Sequence, residues 1–505
     1  MKNHMDGWFY SPAQIKRYLA TRITSLQPPR AKIDNPIRVL REVNRHQWLM
    51  FSLGFIAWVW DAVDFFSVSL CLTEIAEEFG VDNAAVSWGI TVSLMLRSVG
   101  ALVFGACSDR YGCKWPMMVA LLLFVVLELA SGFCQTLSQF LAVRSLYGIA
   151  MGGMFGPAAS TALSDLPYDA RGVLSGLFQN GYSTGYLLAC VFYRALVPTT
   201  SYGWRSLFWF AAVPPLLIMV FRWYMPETDH FQAMKAEREM NALAEQQTDC
   251  ELDSTWHGRF HKIAAFARES GKEVKKNWVL LIFMVILMTA FNSCSHGSQD
   301  FFPTFLKSQA GFNSSQVVII SVVGQLGSIT GGTVLGYISS FSGRRLIMLI
   351  ACVFGAALVP AYILPRSMVL VCTAFFEQAF VGGVWGPVPV YLMELAPATL
   401  RTTVIGLTYQ LGNLASSGSA TIQAIIGEKY KLSPGPQGQQ RFDYGRVIAI
   451  FIGAVWGVLF LLLLLGPEMT ESERQEEAQH TRDRTDDRIE ETIKKDAQHI
   501  EKAIE

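Results

Sequence analysis

The sequence predicts an all-α membrane protein of twelve transmembrane helices in two like bundles of six, and three observations carry that expectation. Of its residues 51% are apolar and only 16% charged, with a mean hydropathy of +0.30, far from the soluble average. A crossing helix needs about 20 apolar residues, and about twelve such runs follow one another, centred near Ile56, Leu94, Phe124, Gly152, Leu187, Val213, Ile286, Gly327, Phe354, Val381, Ser417 and Val458. The halves also repeat. "GGMFGP" from Gly152, Pro167 and Arg171 recur as "GGVWGP" from Gly382, Pro397 and Arg401, each displaced by 230 residues (382 − 152, 397 − 167, 401 − 171). "GLFQN" at Gly176 and "GLTYQ" at Gly406 keep that offset, and "DFF" at Asp64 returns at Asp300.

Taken in order, residues 1–47 are a polar N-terminal tail with no short apolar core of a cleavable signal, so the first crossing is expected to direct insertion. Residues 48–225 hold the first six helices, 226–276 a polar connection rich in Glu, Lys, Gln and Asp, and 277–466 the second six. The stretch 467–505 is a mixed-charge C-terminal tail. Lys16, Arg17, Arg22, Arg30, Lys32, Arg38, Arg41 and Arg45 crowd the N-terminal tail, and Arg110, Lys114, Arg171, Arg344, Arg345 and Arg401 lie in loops on the same side. Positive charge marks the cytosolic side, which places both tails there; Lys429, Lys431, Arg441 and Arg446 on the last outer loop run against the rule.

Composition also excludes. With 41 Lys+Arg against 41 Asp+Glu nothing suggests a nucleic-acid partner. The nine cysteines are scattered without a C-x-x-C pair, so neither a disulfide framework nor a metal site is expected. No nucleophile with its base and no phosphate loop appears, which argues against an enzyme. Parallel repeats about an axis normal to the membrane are the plan of two-lobed secondary transporters, with substrate near the midplane between lobes.

"GACSDRYGCK", Gly105 to Lys114, resembles the loop between the second and third helices of the major facilitator superfamily. Asp109 and Arg110 there can pair across the lobes, a cytosolic gate to which Glu394 beside Arg401 would contribute. The copy "GYISSFSGRR" keeps Gly336, Gly343 and Arg345 but has Ser340 in place of the aspartate, so the charge latch is expected on one side only. "NSCSHGSQDFFPT", Asn292 to Thr304, resembles through Asn292, Ser295, His296, Ser298, Gln299, Asp300 and Thr304 the signature of fungal Jen-type lactate/pyruvate:proton symporters. The sialic-acid:proton carriers are related. That resemblance implies the major facilitator fold and uptake of a short monocarboxylate with a proton across the plasma membrane. The partners it implies are the acid, the proton and the lipid bilayer, with the proton as coupling ion and no bound cofactor.

On a helix Asn292, His296, Gln299 and Asp300 fall within roughly a 100° arc, a polar stripe that must face the protein interior or water. Gly297 and Pro303 weaken the helix there. His296 and Asp300, four apart, can share a proton and act in coupling; a locked salt bridge is the other reading. Arg97 lies twelve residues before Asp109 (109 − 97), about 18 Å from the loop. Its guanidinium suits a bidentate grip on the substrate carboxylate, or a structural pairing with Asp61 or Asp64 of the first helix, themselves candidate proton carriers. Gln410 and Asn413 share a face of the eleventh helix and can bind a hydroxy- or keto-acid. Phe178, Gln179 and Asn180 are their counterparts in the fifth. Arg144, Glu128 and Glu377 are further ionisable residues in or near membrane segments, and Phe65, Phe66, Phe178, Phe301 and Phe302 suggest a small aromatic-walled site. A sugar-acid carrier of the same fold and a transporter-like nutrient sensor stay open as rival readings. Asn313 begins a glycosylation sequon at the membrane edge.

Overall fold

The computed structural model describes residues 12–26, 36–81, 83–236, 256–427, 429–432 and 441–468. Twelve crossings follow in order: α1 (Arg45–Leu70), α2 (Asn83–Tyr111), α3 (Lys114–Phe133), α4 (Leu137–Gly152, then Phe155–Leu163), α5 (Tyr168–Gln179, then Gly181–Leu196) and α6 (Arg205–Ala211, then Val213–Tyr224) form the first lobe. The second comprises α7 (Trp256–Gln299, then Phe302–Ser308), α8 (Ser314–Ser342), α9 (Arg344–Ile363), α10 (Leu370–Trp385, then Val388–Leu395), α11 (Arg401–Ser416, then Ser419–Gly427) and α12 (Tyr444–Leu465).

Eight of these stretches are long and apolar enough to cross a membrane as they stand. The other four, α4, α5, α10 and α11, are interrupted at Gly153–Met154, Asn180, Gly386–Pro387 and Ser417–Gly418, corresponding crossings of the two lobes. Small and polar residues there trade hydropathy for close approach of helices. Side-chain caps set several starts. Asn44 accepts the Gln47 N–H at 2.8 Å while Gln47 accepts the Asn44 N–H, and Asn313 and Gln316 repeat that box at α8.

Packing repeats with the sequence: α2 lies on α4 as α8 lies on α10, and α1 on α5 as α7 on α11. A side chain on Gly100 would put its Cβ 1.8 Å from the Ile149 carbonyl oxygen, and on Gly331 1.7 Å from that of Ala379. These pairs correspond (331 − 100 = 231, 379 − 149 = 230), so both lobes are built on helix backbones in direct contact. Gly331→Val is expected to split α8 from α10, because no flexible side chain is there to give way. Size-exclusion chromatography should show loss of most monodisperse protein; a wild-type profile would refute backbone contact at this point.

The lobes meet along two seams, α2 against α11 and α5 against α8. Both close the end that carries the tail segments, here the tail end. Asp109, at the end of α2, accepts the backbone N–H groups of Thr402 (2.9 Å) and Thr403 (2.8 Å) in the first turn of α11. Asp109, expected to pair across the lobes, reaches the second lobe as a carboxylate on a helix N-terminus, where orphan N–H groups and the helix dipole favour it. The Arg110 guanidinium sits 5.9 Å from the ring of Tyr111. Across the other seam Gly172 packs against Ser340, where no carboxylate is available.

Two segments expected to be polar tail or loop carry structure. A short helix, Pro12–Ala20, belongs by sequence to the first lobe yet rests on the second. The Tyr18 hydroxyl donates to the Leu465 carbonyl (2.9 Å), Arg22 Nη1 donates to Gly466 O (2.8 Å), and Arg345 Nη2 donates to Arg22 O (3.2 Å). The connection ahead of α7 is helical from Trp256 and runs into the crossing through a kink at Asn277 (φ −110°, ψ 16°).

Candidate functional site

Between the lobes lies a cavity of about 620 Å³, within the roughly 300–1,000 Å³ usual for small-molecule sites. Its wall includes Ser69, Tyr186, Pro303 and Ile320 from the helix ends away from the tails. Since the seams shut the tail end, the cavity opens at the opposite one.

Polar chemistry in the wall comes mostly from the second lobe. His296 places Nδ1 2.8 Å from Asp300 Oδ2 and Nε2 2.8 Å from Asn413 Oδ1, which joins α7 to α11. Both ring nitrogens are thus engaged, one by a carboxylate that can share a proton with it and one by a side-chain amide. Gln299 Nε2 donates to Gln378 Oε1 (2.9 Å), Gln378 Nε2 to the Tyr362 hydroxyl (3.3 Å), and that hydroxyl to Ser298 O (2.8 Å). Trp385 Nε1 donates to Ser295 Oγ at 2.6 Å. Asn292 lines the wall but spends its amide N–H on Met288 O, one turn back. α7 ends at Gln299 and resumes at Phe302, leaving the Asp300 side chain 44% exposed while His296 is 15% exposed. Asp300 is thereby the more open of the two to water.

The floor is aromatic. Tyr409 stacks on Phe155 across the lobes with centroids 4.0 Å apart, Trp58 and Trp385 meet Tyr409 edge-on, and Phe178 stacks on Trp58. Phe155 and Trp385 are equivalent in the repeat (385 − 155 = 230). Their shared contact with Tyr409 places the repeated motif at the bottom of the cavity.

Beyond the wall the first lobe holds a buried ionic layer. Arg97 Nη2 lies 3.4 Å from Asp61 Oδ2 and its guanidinium 5.0 Å from the Phe65 ring, Arg144 pairs with Glu128 at 3.1 Å, and the Tyr147 hydroxyl donates to Asp64. All four residues of the ion pairs are at most 1% exposed. Three carboxylates here meet two guanidinium groups.

Of the candidates read from sequence, the cavity gathers Asn292, His296, Gln299, Asp300, Asn413 and Gln179. Arg97 is not in its wall. It is screened by Phe65 and committed to Asp61, because an unpaired guanidinium in the membrane interior is costly. Asp61, Asp64 and Phe178 are likewise buried outside the wall, as is Gln410, whose amide atoms have no hydrogen-bond partner among the described residues. Phe65, Phe66 and Phe302 do line it and Phe301 does not. The cavity is larger than a small aromatic-walled site, because its wall runs from the floor to the helix ends. Glu394 takes Arg344 at 3.3 Å, and Arg401 reaches His230. Sequence reasoning missed Trp385 and Gln378; the first stood in the repeated motif, the second beside Glu377 in an otherwise apolar helix.

Two pseudo-symmetric six-helix lobes around a polar, one-ended cavity define a two-lobed membrane transporter. A family model described as sugar (and other) transporter matches residues 46–473, and the chain belongs to that family. It is 37% identical over 464 residues to a carboxylic acid transporter protein homolog of Saccharomyces cerevisiae, covering 91% of this chain and 74% of that protein. A sialic acid transporter of Escherichia coli is 23% identical over 434 residues, covering 84% and 95%. Among solved structures, a proton:xylose symporter bound to 6-bromo-6-deoxy-D-glucose matches with a TM-score of 0.64 at 15% identity, covering 82% of this chain and 94% of that one. The protein is a multi-pass transporter and not an enzyme.

Proposed function

We propose that this transporter carries short monocarboxylates, lactate and pyruvate among them, together with a proton across the plasma membrane by alternating access, its termini in the cytosol and the described cavity facing outward. One observation supports the reading above the rest: among the described residues, His296 and Asp300 are the only ionisable groups of opposite charge in the cavity wall. Paired, they cancel. A proton on Asp300 leaves the cavity with the His296 charge alone, so proton and anion favour each other's binding. Asn413, Gln299 and Gln378 then serve the acid's hydroxyl or keto oxygen, and Arg97 holds Asp61 behind Phe65. The Saccharomyces relative's description as a carboxylic acid transporter homolog and the α7 signature support the same substrate class.

A monoanion with one proton moves no net charge. Purified protein in proteoliposomes should therefore accumulate lactate about tenfold per unit of pH gradient, the equivalent of about 1.4 kcal/mol, with no response to an imposed membrane potential. Lactamide, uncharged, should not compete. Accumulation rising with inside-negative potential would require a second proton, with Asp61 and Asp64 as carriers. The cavity volume and its amide-rich wall favour a second reading, a sugar-acid substrate such as sialic acid; uptake of that acid but not lactate in the same assay would select it.

A further inference from the structure

At the tail end His230 stands between the lobes. It follows α6, and its backbone N–H donates to Asp165 Oδ1 (3.1 Å) while that of Asp229 donates to Asp165 Oδ2 (3.0 Å), so the connection between α4 and α5 fixes His230 to the first lobe. Its ring reaches the other way. Nε2 lies 3.2 Å from Arg401 Nη1, at the first residue of α11 in the second lobe. A guanidinium has donors only, so this contact is made by Nε2 as acceptor, a role that only the neutral imidazole offers.

We infer that His230 is a second proton-binding site, separate from His296, whose protonation releases the tail-end contact between the lobes. A proton on Nε2 removes the acceptor and sets two cations face to face. Among the described residues, the charged groups that the contacts place beside it divide by lobe. Asp165 and Asp229, with His46 close to both, belong to the first. Asp109, also of the first lobe and lining the same crevice with Cys113, already accepts from Thr402 and Thr403. Arg401 is the charged group that faces His230 from α11. A protonated His230 is therefore held by its own lobe's carboxylates and repelled by the other lobe. Imidazole ordinarily titrates at about pH 6.5, so acid on the tail side favours the tail-open arrangement. With the tails in the cytosol, as proposed above, an acidified cytosol detains the protein in that arrangement and slows further proton entry. This inference rests on lobes that part at the tail end, not on which solute they carry.

Cys113 supplies the probe. It lines the crevice, is 4% exposed and lies 3.9 Å from Thr402 Oγ1, and burial pushes its thiol well above the ordinary range. Its alkylation by N-ethylmaleimide in the full chain in nanodiscs, without substrate or gradient, reads the opening by peptide mass spectrometry. Thiol reactivity itself varies with pH, so the rate is divided by that of His230→Gln, which keeps an acceptor and cannot titrate. The ratio should be about 1 at pH 8 and rise several-fold, on the order of fivefold, by pH 5.5. His230→Lys should label fast at both pH values, and His230→Asn should match His230→Gln. A flat ratio would overturn the inference, as would slow labelling of His230→Lys in a preparation whose melting curve shows it folded. A rising ratio in a protein that moves no monocarboxylate would leave the gate standing and remove the substrate reading alone.

Discussion

Asp300→Asn is expected to abolish uphill accumulation while leaving substrate binding and exchange in place. Asn retains an oxygen that can accept from His296 Nδ1, now 2.8 Å from Asp300 Oδ2, so the wall keeps its shape. It cannot take up and release a proton. Anion binding is then no longer tied to a proton taken up at position 300, which uncouples it from the pH gradient. In proteoliposomes, lactate accumulation should fall from about tenfold per pH unit to none, while counterflow of labelled lactate against unlabelled continues. Loss of both activities would point to a structural role for Asp300. Undiminished accumulation would move the coupling proton to Asp61 or Asp64.

The largest effect on stability is expected from Arg97→Met. Asp61 and Arg97 are no more than 1% exposed and lie 3.4 Å apart, and removing one partner of a buried pair costs about 3–5 kcal/mol because the other charge is left without compensation. Most of that loss should return in the double variant Asp61→Asn with Arg97→Met, which leaves no charge to bury. Thermal unfolding in detergent measures both. Lactate binding to the double variant separates the two roles of Arg97: near wild-type affinity fits a pairing behind Phe65, whereas a stable double variant that has lost lactate binding would return Arg97 to the substrate carboxylate.

Periodicity and internal repeats disclosed the fold because both report on solvent and symmetry, which act on every residue of a crossing. The α7 stripe was legible for the same reason: four polar groups on one helical face have nowhere to go but inward. What stayed hidden depends on which neighbour a residue meets. Arg97 reads equally well as a ligand or as the partner of Asp61, and only the Phe65 ring in front of it distinguishes them. That Asp109 reaches across the lobes is legible from its loop, but that it meets backbone N–H groups of α11, some 290 residues on, is not. Glu394 meets Arg344, 50 residues away, a partner that its position near Arg401 in sequence does not disclose. The docking of Pro12–Ala20 and the turn after it on the far lobe uses main-chain carbonyls of Leu465, Gly466 and Arg22 as acceptors, which no side-chain pattern announces.

The glycine contacts of α2 with α4 and of α8 with α10 have a mechanical consequence. Where one backbone rests on another, no layer of side chains remains to compress or re-pack, and each helix pair behaves as a stiff beam. The α2–α11 and α5–α8 seams are close as well, with Gly176 against the Gly332 carbonyl and Gly105 against Thr403, but there the contact joins one lobe to the other, and Asn180 Nδ2 donates across it to Ile329 O (2.9 Å) and Thr333 Oγ1 (2.8 Å). A displacement imposed at the cavity is therefore carried by the helix pairs as units to the seams between lobes, so the molecule transmits force like a lever instead of absorbing it like a spring.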